Sequence, residues 1–178
     1  LSNLEKNHKY GVFEVGMSRK GEISKLSKMV KPHIAIITNI GEAHIENFKN
    51  IKQIANAKSE IIYNIEKNGL LILNHDDKYY FYLKNIAQKL KIKTISFGRS
   101  KKADVRFISF NKSKSNKILR IKAFNEIINI ELNDINVSNI LASVAVLKHL
   151  NLNLDKAFSV FSKFNSLEGR GKIHKIKR

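Results

Sequence analysis

The 178-residue chain is 43% hydrophobic and 27% charged, which suits one compact domain, and its lack of cysteine excludes disulfides, thiol nucleophiles and cysteine-bound zinc. No apolar run reaches the ~18–20 residues of a membrane span, and the N-terminus lacks the apolar core of a signal peptide, so we expect a cytoplasmic protein. The net charge of +18 would suit a nucleic-acid-binding protein, but the lysines are spread along the chain without a basic block.

Strand-type apolar runs alternate with runs of helical period in the first part of the chain. This alternation is typical of a largely parallel α/β sheet. Pro32 blocks the continuation of the first helix. The predicted elements are, in chain order, a strand over Tyr10–Val15, a helix with Ile23, Leu26, Met29 and Val30 on one face, a strand over His33–Thr38, a loop over Asn39–Asn50, a helix over Ile51–Ile65, a strand over Leu70–Leu73, a helix over Tyr79–Leu90 and a strand over Lys93–Phe97.

From Asp104 onward the pattern changes to short strand-like runs joined by polar turns. These strands should be antiparallel, because the connections are too short for crossovers. We therefore predict an α/β fold with a largely parallel sheet flanked by helices and a small antiparallel section. The remaining predicted elements are strands over Val105–Phe110, Ile118–Ala123 and Ile127–Leu132, and helices over Val137–Leu150 and Leu154–Phe164.

Lys58 is out of place in the helix predicted over Ile51–Ile65, since it falls in the middle of the apolar stripe. An unpaired ammonium there is costly, so the side chain must extend to water, pair with another group or be modified. The simplest alternative is a lysine whose stem packs while its head is solvated.

Glu14 lies at the end of one predicted strand, and His44 lies in the loop that follows the next strand. In open parallel sheets, ligands bind beyond the carboxyl ends of the strands. A carboxylate there can hold Mg²⁺ directly or through water, although a solvated edge residue and a surface histidine are the alternatives. The predicted strand order brings both residues and Lys58 to one edge of the sheet.

Asn136 and Asn139 are three residues apart at the start of a predicted helix, hence on one face. An amide can pair with the donor–acceptor edge of adenine. Helix capping would explain Asn136, but does not easily explain Asn139 as well. Asp76 and Asp77, which follow a strand, could bind a metal or ribose, or form a turn.

The run FEVGMSRKGEISKLSKMVKPHIAIITNIGEAHIENFKNIKQIANAKSEI resembles the central ATPase domain of the Mur ligases. Its motif, E-x-G-M…G-E-I…P…I-T-N-I-G-x-A-H-x-E-x-F…A-K-x-E-I, is long. The segments LNHDD, SFG, N-x-x-N and EGRGK follow in the family's order, so the resemblance covers residues 10–172. GMS and EAHIE stand where the tripeptide-forming relative has S-S-H and D-H-L-D. This favours the type that adds D-Ala-D-Ala.

The resemblance implies a fold like that of the P-loop NTPases and an ATP-dependent peptide ligase of peptidoglycan precursor synthesis. The reaction would join D-Ala-D-Ala to UDP-MurNAc-tripeptide through an acyl phosphate, with ATP and Mg²⁺ and with the protein acting as a monomer. The roles implied are Mg²⁺ binding by Glu14 and His44, carbamylation and Mg²⁺ binding by Lys58, catalysis by Lys58 and His44, and nucleotide binding by Asn74, Asn136, Asn139 and Arg170.

The family's phosphate loop, G-x-x-G-K-[ST], is expected before Leu1 and its C-terminal domain after Arg178. We therefore assign residues 1–167 to the central domain and 168–178 to the start of the hinge, and expect these residues alone to be inactive. Another ligase of the superfamily, either the tripeptide-forming enzyme or folylpolyglutamate synthase, remains an alternative. A basic nucleic-acid-binding module is a further one, supported by charge alone.

Overall fold

The computed structural model describes residues 5, 7–42, 45–112, 117–132 and 136–163. In this part of the chain, six strands form one sheet in sequential order, so the predicted α/β fold class is confirmed. The strands are β1 Ile34–Ile37, β2 Leu70–Asn74, β3 Lys93–Gly98, β4 Val105–Lys112, β5 Lys117–Ala123 and β6 Glu126–Leu132; the helices are α1 Glu22–Val30, α2 Ile51–Ser59, α3 Tyr80–Lys89, α4 Val137–His149 and α5 Leu154–Lys163, with 3-10 helices at Ile45–Asn47 and Glu60–Asn64.

Strands β1, β2 and β3 are parallel, and α2 and α3 form the crossovers between them. The side chains of β2 are buried on both faces of the sheet. Leu71 and Leu73 join the apolar cluster that includes residues of α1, α2 and α3, whereas Leu70 and Ile72 join the cluster under α4. A strand covered on both faces has no polar face, which explains the continuous apolar run in its sequence.

Strands β4, β5 and β6 are antiparallel, as their short connections predict. The pairing of β3 with β4 is parallel despite a short connection, because only their tips overlap, at Phe97 with Val105 and Gly98 with Arg106. Asp104 closes the intervening turn by accepting hydrogen bonds from the backbone N–H of Ser96 at 2.8 Å and from its hydroxyl at 2.6 Å. A crossover helix is therefore unnecessary here.

The strand predicted over Tyr10–Val15 is wrong. These residues form no strand, and the side chains of Tyr10 and Val12 are 59% and 98% exposed. A strand forms only where a neighbouring strand completes its backbone hydrogen bonds. In the described part of the chain β1 pairs with β2 alone, so residues 10–15 do not pair with it.

Two helix predictions need smaller corrections. The helix predicted over Ile51–Ile65 is α helical to Ser59 and then tightens into the 3-10 helix. In α1, Ile23 is buried as expected, but Leu26 and Met29 remain 42% and 67% exposed. Among the residues described, no helix is long and apolar enough to cross a membrane.

Gly98 cannot carry a side chain without a clash. Its φ is +151°, and a Cβ atom built on it would lie 2.7 Å from Oδ2 of Asp76. We expect Gly98→Ala to destabilise the protein by about 1–3 kcal/mol, measured by thermal unfolding. Gly16→Ala is the matched control, since a Cβ there meets no atom within 4 Å. Equal unfolding temperatures for the two variants would contradict this account.

Candidate functional site

Three side chains hold the backbone that follows β1. Asn74 donates from Nδ2 to the carbonyl of Thr38 at 3.0 Å. Lys58 donates from Nζ to the carbonyl of Asn39 at 2.8 Å. The backbone N–H of Ile40 donates to Oδ2 of Asp77 at 2.6 Å. Side chains from α2, from the end of β2 and from the turn that follows it therefore meet at one loop.

Lys58 is half-buried, and its head group reaches out of the apolar stripe to the Asn39 carbonyl. Its helical neighbours Ile54 and Ala57 are buried in the core. Burial lowers the pKa of the Lys58 amine, and the Asp77 carboxylate opposes that shift without cancelling it. The amine thus loses its proton more readily than a solvated lysine does, which favours reactions of the neutral form.

Asp76 and Asp77 form a turn, one of the two readings left open by the sequence. Oδ1 of Asp77 accepts from the N–H of Tyr79 at 2.8 Å, just before α3 begins. Asp76 accepts from the N–H groups of Arg99 and Ser100 at 2.5 and 2.9 Å. The two carboxylates thus tie the turn after β2 to the loops that follow β1 and β3.

Asn74 stands at the end of β2, on the edge of the sheet where the sequence places the ligand crevice. Besides binding the Thr38 carbonyl, it accepts the N–H of Asp76 through Oδ1 at 2.9 Å. Its amide therefore contributes directly to the order of this edge. A contact between Asn74 and a nucleotide stays a prediction.

Glu14 is exposed, in the segment that forms no strand. It lines an open cavity of about 280 Å³ between this segment and α1; the other lining residues are Phe13, Val15, Leu26, Met29 and Val30. The predicted approach of Glu14 to Lys58 stays a prediction.

Two glutamates order the backbone between Glu14 and α1. Glu22 accepts from the N–H groups of Ser18 and Arg19 at 2.6 and 3.0 Å, and these bonds lower its pKa. Glu60 accepts from Gly21 at 2.9 Å and from Ser24 at 3.0 Å, which caps the start of α1. Sequence reasoning missed both roles, although Glu60 belongs to the A-K-x-E-I motif two residues after Lys58.

Two predicted site residues, His44 and Arg170, lie outside the described residues. Among the residues that are described, no group of three His, Asp or Glu side chains could hold a metal ion. A Mg²⁺ site that uses Glu14, His44 and Lys58 thus remains a prediction.

Asn136 and Asn139 are both exposed and lie at the start of α4. Asn136 caps this helix, because its side chain accepts from the N–H of Ser138 at 2.9 Å. The carbonyl of Asn139 accepts from the hydroxyl of Ser143 at 2.9 Å. Helix capping therefore explains Asn136, as anticipated, but does not explain the side chain of Asn139.

Comparison with known proteins identifies the family of this domain. The family model of the Mur ligase middle domain matches residues 1–147. UDP-N-acetylmuramoyl-tripeptide–D-alanyl-D-alanine ligase of Rickettsia prowazekii is 33% identical over 99% of this chain. The match covers 40% of that protein, so the chain spans about two fifths of its relative's length.

Solved structures show the same architecture. A crystal structure of MurF from Acinetobacter baumannii superposes with a TM-score of 0.84 at 28% identity, covering 97% of this chain and 38% of that one. MurF ligase from Thermotoga maritima, solved in complex with ADP, gives a TM-score of 0.76 at 25% identity, covering 90% of this chain and 37% of that one.

The surroundings of Lys58 generate a prediction about its acidity. We expect its amine to titrate below the ordinary lysine range, and Asp77→Asn to lower its pKa further, because the opposing carboxylate is removed. Competitive acetylation across pH, followed by mass spectrometry, measures this. Asp76→Asn is the control and should leave Lys58 unchanged. An ordinary lysine pKa, or no response to Asp77→Asn, would refute the prediction.

Proposed function

The chain belongs to the Mur ligase middle domain family, and we propose that it is part of an ATP-dependent ligase that adds D-Ala-D-Ala to UDP-MurNAc-tripeptide. The observation that carries this proposal is the similarity to the Rickettsia prowazekii ligase along 99% of the chain. The protein would act as a monomer in the bacterial cytoplasm, in the synthesis of peptidoglycan precursors. Residues 1–167 would form its central domain, and residues 168–178 would begin the hinge.

The proposed reaction proceeds in two steps. The terminal carboxylate of the tripeptide attacks the γ-phosphorus of ATP, which releases ADP and leaves an acyl phosphate. The amine of D-Ala-D-Ala then attacks the acyl carbonyl, phosphate leaves, and the nitrogen loses a proton to give the amide. Because both reactants of the first step are anions, charge neutralisation and positioning are the main demands on the protein.

Lys58 meets the chemical requirement for carbamylation. A neutral lysine amine adds to CO₂, forming an N–C bond and releasing a proton, and the product is a carboxylate. The half-buried position of Lys58 favours the neutral amine, and its Nζ lies at the loop after β1. The modification would replace a costly cation with an oxygen ligand at the edge of the sheet.

Glu14, His44 and carbamylated Lys58 would hold Mg²⁺, and Lys58 and His44 would also act in catalysis. The carboxylate of Glu14 and the carbamate of Lys58 would supply the oxygen ligands that this ion prefers, alongside the ATP phosphates. When bound, Mg²⁺ would neutralise charge on the transferred phosphoryl group.

We assign nucleotide binding to residues at the start of α4, at the end of β2 and beyond the described residues. Asn139, exposed on α4, would contact adenine together with Asn136, which also caps the helix. Asn74 would line the nucleotide pocket from the end of β2, where it holds the Thr38 carbonyl. Arg170 would reach the nucleotide near the hinge.

The carbamate assignment is tested by chemical rescue in the complete enzyme. We expect Lys58→Ala to lower ligation by at least about 10²-fold, since it removes a charge-stabilising group. Acetate or formate should restore part of the activity, because the missing group would be an anion. Ligation is measured as phosphate release that depends on D-Ala-D-Ala.

Two controls separate the other possible roles of Lys58. A cationic role predicts rescue by small amines instead of carboxylates. A purely structural role predicts that Lys58→Met, which keeps the apolar stem, is as active as the wild type. Either result would exclude the carbamate.

The metal role of Glu14 is tested by Glu14→Gln in the same enzyme. The substitution keeps the shape of the side chain but removes its charge, so turnover should fall by at least about 10²-fold. Turnover is measured across Mg²⁺ concentrations. Near-normal turnover at saturating Mg²⁺ would remove Glu14 from the site.

A further inference from the structure

One peptide group in the loop after β1 is held from both sides. Lys58 donates to its carbonyl, which belongs to Asn39, at 2.8 Å. Its N–H, which belongs to Ile40, donates to Asp77 at 2.6 Å. The peptide dipole therefore points its negative end at a cation and its positive end at an anion. Both charged groups favour the same orientation of this peptide.

Asp77 is itself fixed in place. Its Oδ1 accepts the N–H of Tyr79 at 2.8 Å, and its own carbonyl accepts the N–H of Tyr80 at 2.9 Å. With one oxygen held by the turn before α3, the other has a defined position from which to bind Ile40. The carboxylate thus links a rigid helix start to a loop that is 37 residues away in sequence.

We propose that Asp77 is a positioning residue of the ligase, which keeps the Asn39–Ile40 peptide in place against Lys58 in both the free and the carbamylated form of that lysine. This inference rests on the proposed function. Carbamylation removes the ammonium charge that binds the Asn39 carbonyl, so Asp77 becomes the remaining charged anchor of the peptide. The placement of the Lys58 head group in the modified enzyme then depends on Asp77.

The adjacent Asp76 provides a matched control. It is also a carboxylate that accepts two backbone N–H groups, but those groups belong to Arg99 and Ser100. Asp76→Asn and Asp77→Asn therefore remove equivalent hydrogen-bonding charge from neighbouring positions in one turn. Only Asp77→Asn loosens the peptide that Lys58 contacts.

The first experiment measures amide hydrogen exchange in the complete enzyme without nucleotide. We expect Asp77→Asn to speed exchange at Ile40 by at least about 10-fold, because its N–H loses a charged acceptor. Asp76→Asn should instead speed exchange at Arg99 and Ser100. Unchanged exchange at Ile40 in Asp77→Asn would overturn the proposal, whatever the activity of the enzyme.

The second experiment measures the Mg²⁺ concentration that gives half-maximal ligation. We expect Asp77→Asn to raise it by about 10–100-fold, the usual effect of losing a group that orients a metal ligand. Asp76→Asn should leave it within about twofold of the wild type, since a small loss of stability leaves nearly all of the enzyme folded and the midpoint unchanged. Equal midpoints in the two variants would overturn the proposal.

Asp77→Ser covers the case in which Asp77→Asn folds poorly. A serine hydroxyl can still accept the N–H of Tyr79, but is too short to reach Ile40 as well. It should reproduce the exchange at Ile40 and the raised Mg²⁺ midpoint, and normal values for both would refute the proposal. If the wild-type enzyme shows no ligation that depends on ATP and D-Ala-D-Ala, the proposed function fails, whereas the exchange experiment still decides whether Asp77 holds the loop.

Discussion

This edge of the sheet depends on the two hydrogen bonds of the Asn39–Ile40 peptide, one to a lysine and one to an aspartate. The peptide gives Lys58 a polar partner within an otherwise apolar helix face, so the energetic cost of burying an amine is partly offset. It also orders the loop after β1 against the turn that starts α3. The candidate site is thus organised by backbone groups, and side chains act chiefly by holding them.

Carboxylate side chains hold backbone groups at several places in the structure. Glu22, Glu60, Asp76 and Asp77 each accept hydrogen bonds from two backbone N–H groups in a loop or at a helix start. Asp104 accepts two hydrogen bonds from Ser96 of β3. Hydrogen bonds to charged acceptors are stronger than neutral ones, so each carboxylate can fix a segment that has little core of its own. The chain has 33 basic and only 15 acidic residues. Several of these few acidic residues thus hold the backbone in place, a role that the net charge of +18 does not reveal.

Local patterns predicted the parts of the fold that depend on burial. The sequence predicted both the buried strand β2 and the unusual position of Lys58 on an apolar helix face, because periodicity indicates which side chains enter the core. The strand expected over Tyr10–Val15 failed, since apolar alternation does not reveal whether a neighbouring strand exists. The hydrogen bonds from Ile40 to Asp77 and from Gly21 to Glu60 were missed, because their partners lie 37 and 39 residues apart and no local pattern encodes such a bond.

The short overlap between β3 and β4 has a mechanical consequence. The parallel and antiparallel parts of the sheet share only two residue pairs, so few backbone hydrogen bonds resist their separation. Apart from the hydrogen bonds between Asp104 and Ser96, the two parts are joined by the apolar layer beneath α4, in which Phe97 and Val105 are fully buried. Shearing the sheet at this seam would expose that layer to water. Much of the stiffness of the domain across the seam therefore comes from a hydrophobic contact, and this part weakens on cooling.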